Sequence, residues 1–160
     1  MRLIIAAVGR LKDGAERELL ERYRDRFGAM AKRLGFNPVA WHELAESRAA
    51  AAAKRCSEEG AALLKLARDA DVIVALDERG KALTSQAFAQ LLAKFRDDGA
   101  GTAAILVGGA DGLAPAVREA ARTTLSFGAM TLPHGLARIV LAEQLYRAAT
   151  ILAGHPYHRG

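Results

Sequence analysis

The last six residues are His155-Pro156-Tyr157-His158-Arg159-Gly160. Such an aromatic ring, imidazoles and guanidinium can stack on a base, move a proton and hold a phosphate. Chain ends are usually frayed and polar, so a tail of this composition reads as docked. A His-x-x-His metal site is the alternative, but it offers two ligands with no carboxylate nearby in sequence. Upstream, Leu136, Val140, Glu143, Arg147 and Ile151 step by 4, 3, 4 and 4, which puts them on one helix face. Glu143 and Arg147 are an i,i+4 pair in the favourable order. Inside an apolar stripe such a pair costs desolvation energy unless a partner or substrate uses it. The plain alternative is a helix-stabilising pair at the surface edge.

Three loops could carry a ligand. Leu76-Asp77-Glu78-Arg79-Gly80-Lys81 puts charges directly after an apolar run; a turn with Lys81 paired to an acid is the simple alternative. Val107-Gly108-Gly109-Ala110-Asp111-Gly112-Leu113 has three glycines within five positions. They let a ligand approach the backbone, with amides lining a concavity. This is neither a dinucleotide fingerprint nor a phosphate-binding P-loop, because no Lys-Ser/Thr pair and no ribose-binding acid follow. Ser126-Phe127-Gly128-Ala129-Met130-Thr131-Leu132-Pro133-His134 is unusually apolar for a loop. It can cover something flat, such as a base, or be core.

Strands and helices must position these loops. Short apolar runs mark strands at Leu3–Val8, Val39–Trp41, Val72–Leu76, Ala103–Val107 and Leu125–Phe127. Continuous apolar runs predict strands covered on both faces, hence a parallel sheet. Helical spacing predicts helices over Ala15–Leu34, Glu46–Ala70, Thr84 or Ser85 to Gly99, Pro115–Thr123 and Gly135–Ala153. The order βαβαβαβαβα predicts a single-domain α/β parallel-sheet sandwich over residues 1–160. In such folds ligands bind where strands end, and each of the three loops follows a strand.

Composition bounds the rest. The 160 residues are 51% hydrophobic and 26% charged, which excludes a disordered chain. One cysteine, Cys56, excludes an internal disulfide and a four-thiolate zinc site, and fits a reducing cytoplasmic compartment. No segment approaches the roughly 20 apolar residues of a membrane helix, so no membrane partner is expected, and no metal. The net charge of +5 suits a polyanionic partner. After Asp98 only Asp111, Glu119 and Glu143 are acidic, against five arginines.

Taken together, these features resemble one family. They are Leu76-Asp77 with Gly80-Lys81, Gly108-Gly109-x-x-Gly112-Leu113, Leu125-Ser126-Phe127 and Met130-Thr131-Leu132-Pro133-His134. They continue through Arg138-Ile139-Val140-Leu141-x-Glu143-Gln144-Leu145-Tyr146-Arg147-Ala148 to Pro156-Tyr157-His158-Arg159. In order and spacing the chain is similar to the bacterial ribosomal RNA large subunit methyltransferase H family of the SPOUT superfamily, along its whole length. The resemblance implies S-adenosylmethionine-dependent methyl transfer to N3 of a pseudouridine in 23S rRNA, on assembled ribosomes. It also implies a homodimer and a trefoil knot over roughly residues 103–154. Fold statistics alone would argue against a knot.

Carried over by residue, the resemblance assigns the cofactor to Leu76, Gly108, Phe127, Gly128, Ala129, Met130, Thr131 and Leu132. Gly128-Ala129 departs from the polar residues common there. The proposed catalytic set is His158, Glu143, Arg147, Tyr157 and Arg159. His158 or Glu143 would take the N3 proton, Arg147 or Arg159 would stabilise an oxyanion or hold phosphate, and Tyr157 would stack. The tail is expected to cross to the partner's cofactor pocket.

Overall fold

A computed structural model describes residues 1–158; the side chain of His158 and residues Arg159 and Gly160 lie outside it. In chain order the elements are β1 (Arg2–Val8), α1 (Ala15–Ala31), β2 (Val39–Leu44), α2 (Ala52–Leu66), β3 (Val72–Ala82), α3 (Ser85–Asp97), β4 (Thr102–Val107), α4 (Pro115–Ala120), β5 (Thr123–Ser126) and α5 (His134–Leu152). Short 3-10 turns follow α1, at Lys32–Leu34, and α5, at Pro156–His158.

The five strands form one sheet in the order β2-β1-β4-β3-β5. Every pairing is parallel. The apolar runs predicted this. Along β1, Leu3, Ile5 and Ala7 face a core shared with α1, α3 and α5. The alternate residues Ile4, Ala6 and Val8 face a second core under α2 and α4. A strand buried on both faces gains apolar burial at every residue, so its sequence shows no alternation.

Several boundaries differ from the sequence reading. Residues 46–51 precede α2 as an extended segment. Ser47 is drawn out by hydrogen bonds to two helix acids: its N–H donates to Glu59 (2.9 Å) and its hydroxyl to Glu58 (2.5 Å). Side-chain partners here outcompete helix propensity. Helix α4 stops at Ala120, short of Thr123, because Arg122 already donates its N–H to Ile73 at 2.8 Å on the way into β5. Strand β3 continues to Ala82 rather than ending at Leu76. Leu76 and Lys81 both pair with Leu125, so the residues between them bulge out of the ladder. Thr84 caps α3 as expected, accepting the Ala87 N–H at 3.1 Å.

Helix α5 packs on both α1 and α3. Arg138, only 3% exposed, anchors its start. Its guanidinium donates to the carbonyls of Val8 (2.6 Å) and Gly9 (2.9 Å) and to Glu43 (3.2 Å). The end of β1 is thereby tied to the helix that follows the apolar loop.

Candidate active site

The carboxyl ends of β3, β4 and β5 open onto a cavity of about 580 Å³. This lies within the size range of small-molecule sites. The three loops singled out in the sequence are its walls. Leu76, Gly108, Phe127, Gly128, Met130, Thr131 and Leu132 all line it. Ala129 does not. Helix α2 adds Ala52, Ala53 and Cys56, and α4 adds Arg118.

The glycine loop is shaped by contact as well as by turn geometry. A Cβ at Gly108 would stand 2.6 Å from the Gly112 carbonyl oxygen and 3.0 Å from the Leu113 nitrogen. No side chain fits there, and the backbone itself faces the cavity. In the apolar loop, Gly128 adopts φ +124°, a conformation L side chains rarely take. The Ser126 hydroxyl clips this turn, accepting the Gly128 N–H at 3.1 Å and donating to its carbonyl at 2.8 Å. Glycine at this departure from the family pattern is therefore a conformational requirement. Met130 is 85% exposed, and Phe127, Leu132 and Leu136 are each more than a third exposed.

Ion pairs brace the cavity. Arg118 donates to Asp77 at 3.2 Å and to the Leu113 carbonyl, joining the β3 bulge to the glycine loop. Asp77 is also capped by the Arg79 N–H at 3.0 Å. Its partner is thus Arg118, not Lys81. Arg55 grips Asp111 through two hydrogen bonds, at 2.8 and 3.1 Å. That bond holds the Asp111 carboxyl below the usual carboxylate range. Burial, then the nearby Glu59 charge, pushes the Cys56 thiol up, and the thiol donates to the Gly112 carbonyl at 3.7 Å. Arg55, Cys56 and Arg118 sit in ordinary helical sequence and gave no signal of a role; only tertiary packing brings them here.

Of the proposed catalytic residues, Glu143, Arg147 and Tyr157 gather elsewhere. Arg147 donates to Glu143 at 2.9 Å, Gln144 donates to it at 2.7 Å, and the Tyr157 hydroxyl donates to it at 3.3 Å. The Arg147 guanidinium lies 5.2 Å from the Tyr157 ring centroid, and the Tyr157 ring packs on Tyr146 at 4.6 Å. Burial, together with the neighbouring Tyr23, pushes the Tyr157 hydroxyl up to about 12. Of the tail, Tyr157 packs on its own helix, while His155 and Pro156 are exposed. None of Glu143, Arg147 and Tyr157 lines the cavity. The side chains of His158 and Arg159 lie outside the described residues. Leu136, Val140, Glu143, Arg147 and Ile151 do share a face, but it is the least buried face of α5, not a packed stripe.

Among the described residues no three His, Cys, Asp or Glu side chains come together to hold a metal. None of the described helices is long and apolar enough to cross a membrane. An open glycine wall, an apolar flap and backbone amides are the donor set for a flat heterocyclic cofactor. S-adenosylmethionine fits it in volume and chemistry.

Fold and cavity together define an α/β protein that binds its ligand at the carboxyl end of a parallel sheet. A family model described as "Predicted SPOUT methyltransferase" matches residues 1–158. The ribosomal RNA large subunit methyltransferase H of Nitrobacter winogradskyi is 55% identical over 160 residues, covering 100% of both chains. The protein of that name from Nitrobacter hamburgensis is 54% identical over 160 residues, again covering 100% of each. The chain belongs to the SPOUT methyltransferase family, as its motifs led us to expect. Among solved structures, a probable methyltransferase from Bordetella pertussis Tohama I aligns with a TM-score of 0.50 at 16% identity, over 92% of this chain and 95% of that one. That likeness concerns the fold alone.

Proposed function

We propose that this chain transfers a methyl group from S-adenosylmethionine to N3 of a pseudouridine in 23S rRNA, acting on assembled ribosomes in the cytoplasm. We propose further that it acts as one SPOUT domain spanning residues 1–160, knotted over roughly residues 103–154, in a homodimer. The observation that carries this reading is the cavity, where every cofactor residue inferred from sequence except Ala129 converges. Relatives more than half identical over their full length are named as large-subunit rRNA methyltransferases, which supports the substrate.

S-adenosylmethionine supplies an already activated methyl group. The chain supplies position. Gly108 leaves space at the cavity wall, and residues 127–132 can cover the adenine while their backbone groups bond its edge. Arg118 keeps the bulge and the glycine loop at fixed spacing, and such preorganisation lowers the barrier by fixing the reacting geometry.

A partner is needed to complete the site. In one protomer Tyr157 rests on its own Glu143, outside the cavity. In a homodimer the tail would serve the other protomer's cavity, with Arg147 and Arg159 to hold phosphate or a developing oxyanion. The exposed apolar side chains Met130, Leu132 and Leu136 support a subunit contact at the cavity rim.

Ribosomes lacking the modification, incubated with the protein and methyl-labelled S-adenosylmethionine, are expected to gain label in the large-subunit rRNA. Label in no RNA, from a protein that binds the cofactor, would overturn the reading.

A further inference from the structure

The proposed reaction requires a group that removes the N3 proton, and most ionisable groups around the cavity are already committed. From β3, Asp77 is held by Arg118 (3.2 Å) and by a backbone N–H (3.0 Å). From the glycine loop, Asp111 is gripped by Nε and one terminal amine of Arg55. From α2, the Cys56 thiol is pushed up by burial and donates its proton to a carbonyl. Arg79 and Arg118 carry no acceptor, and Glu78 is exposed at the lip. Glu143 lies outside the cavity, with its carboxylate taken by Arg147, Gln144 and Tyr157.

His134 differs from all of these. It lines the cavity as the first residue of α5, one proline beyond the flap residues Thr131 and Leu132. It is half-buried, and among the described residues its imidazole makes no hydrogen bond. Its backbone is fixed. The Ala137 N–H closes the first helical turn on the Pro133 carbonyl at 3.0 Å. One turn on, buried Arg138 pins the helix to the end of β1. A catalytic base needs a free acceptor nitrogen on a rigid element beside the cofactor pocket, and this side chain meets both conditions.

We infer that His134 is the catalytic base for the methylated nitrogen, an inference that rests on the reading above. The N3–H bond breaks and its proton passes to the unprotonated imidazole nitrogen; the electron pair left on N3 forms the new N–CH3 bond as the methyl–sulfur bond breaks, its electrons staying on sulfur in the S-adenosylhomocysteine that leaves. Only an unprotonated base can take this proton, so the rate should fall on acidification.

The test compares wild type, His134→Gln and His158→Gln in single-turnover methylation of ribosomes from pH 5 to 9, with cofactor affinity measured by calorimetry. His134→Gln is expected to bind S-adenosylmethionine within about twofold of wild type, lose about 100-fold or more in rate, and lose the acid limb of the profile. Free imidazole should restore part of the rate to His134→Ala, which also serves if the glutamine variant folds poorly. An acid limb that persists in His134→Gln but vanishes in His158→Gln would overturn the inference, as would a rate loss matched by an equal loss of cofactor affinity. Failure of wild type to methylate a pseudouridine would instead overturn the underlying reading.

Discussion

At Gly108 one methyl group would displace the glycine loop that walls the cavity. A Cβ there would meet backbone at 2.6 Å, and backbone cannot swing aside as a side chain can. Gly108→Ala is expected to cost about 1–3 kcal/mol of cofactor binding, roughly 5- to 150-fold in Kd, as calorimetry would show. Tyr157 offers a second residue-scale test. Its hydroxyl titrates at about 12, above the ordinary tyrosine value near 10. A raised folded-state value means that its stabilising contribution is whole below pH ~10 and lost as pH rises through ~12. Ultraviolet titration should show a tyrosine transition raised above the ordinary value, and Tyr157→Phe should remove it. The loops that line the cavity were legible because loop chemistry is local: glycines and misplaced apolar side chains stand out in a sequence, while the individual residues proposed for the cofactor came from the family resemblance. Glu143 with Arg147 was legible as a pair, but not as a pair outside the cavity. Spacing defines a helix face without saying what that face meets.

Helix α5 depends on one buried charge. Arg138 joins it to two β1 carbonyls and to Glu43, which also pairs with Arg17 at 2.8 Å. Burial pushes the Arg138 guanidinium down against the pull of Glu43. Burial would raise the Glu43 carboxyl, but the Arg17 hydrogen bond, the Leu11 N–H and both arginine charges outweigh it and hold it below the carboxylate range. Arg138→Met strands two buried carbonyls, and we expect a loss of about 2–4 kcal/mol in chemical denaturation. A depressed Glu43 contributes stability above the ordinary carboxylate range, near pH 4, and loses it as pH falls through its lower folded value. Glu43→Gln should therefore be less stable than wild type at pH 7, with the gap closing in acid. The sheet strands were legible from their unbroken apolar runs. The delayed start of α2 was not. Residues 46–51 carry helix-forming alanines, and contacts made in space draw them out: Ser47 meets Glu58 and Glu59, and Arg55 holds the Ala49 and Ala50 carbonyls.

Across the whole molecule, the cavity and Tyr157 are separate in one protomer, and the proposed dimer would bring the tail to a cavity. Removing residues 155–160 should leave dimerisation and cofactor affinity intact by sedimentation and calorimetry, while methyl transfer falls to background. A shortened protein that kept full activity would show that the tail is dispensable. Dimer and knot were beyond any reading of local pattern. Periodicity reports which residues are buried, but not how the chain threads or what a second copy covers; only the family resemblance suggested them.

The most direct measurement is mass spectrometry of nucleosides from 23S rRNA, after ribosomes lacking the modification are incubated with this protein and S-adenosylmethionine. The account predicts a new N3-methylpseudouridine, present with assembled ribosomes and absent with free rRNA. A methyl group on any other nucleoside, or none despite measured cofactor binding, would contradict it.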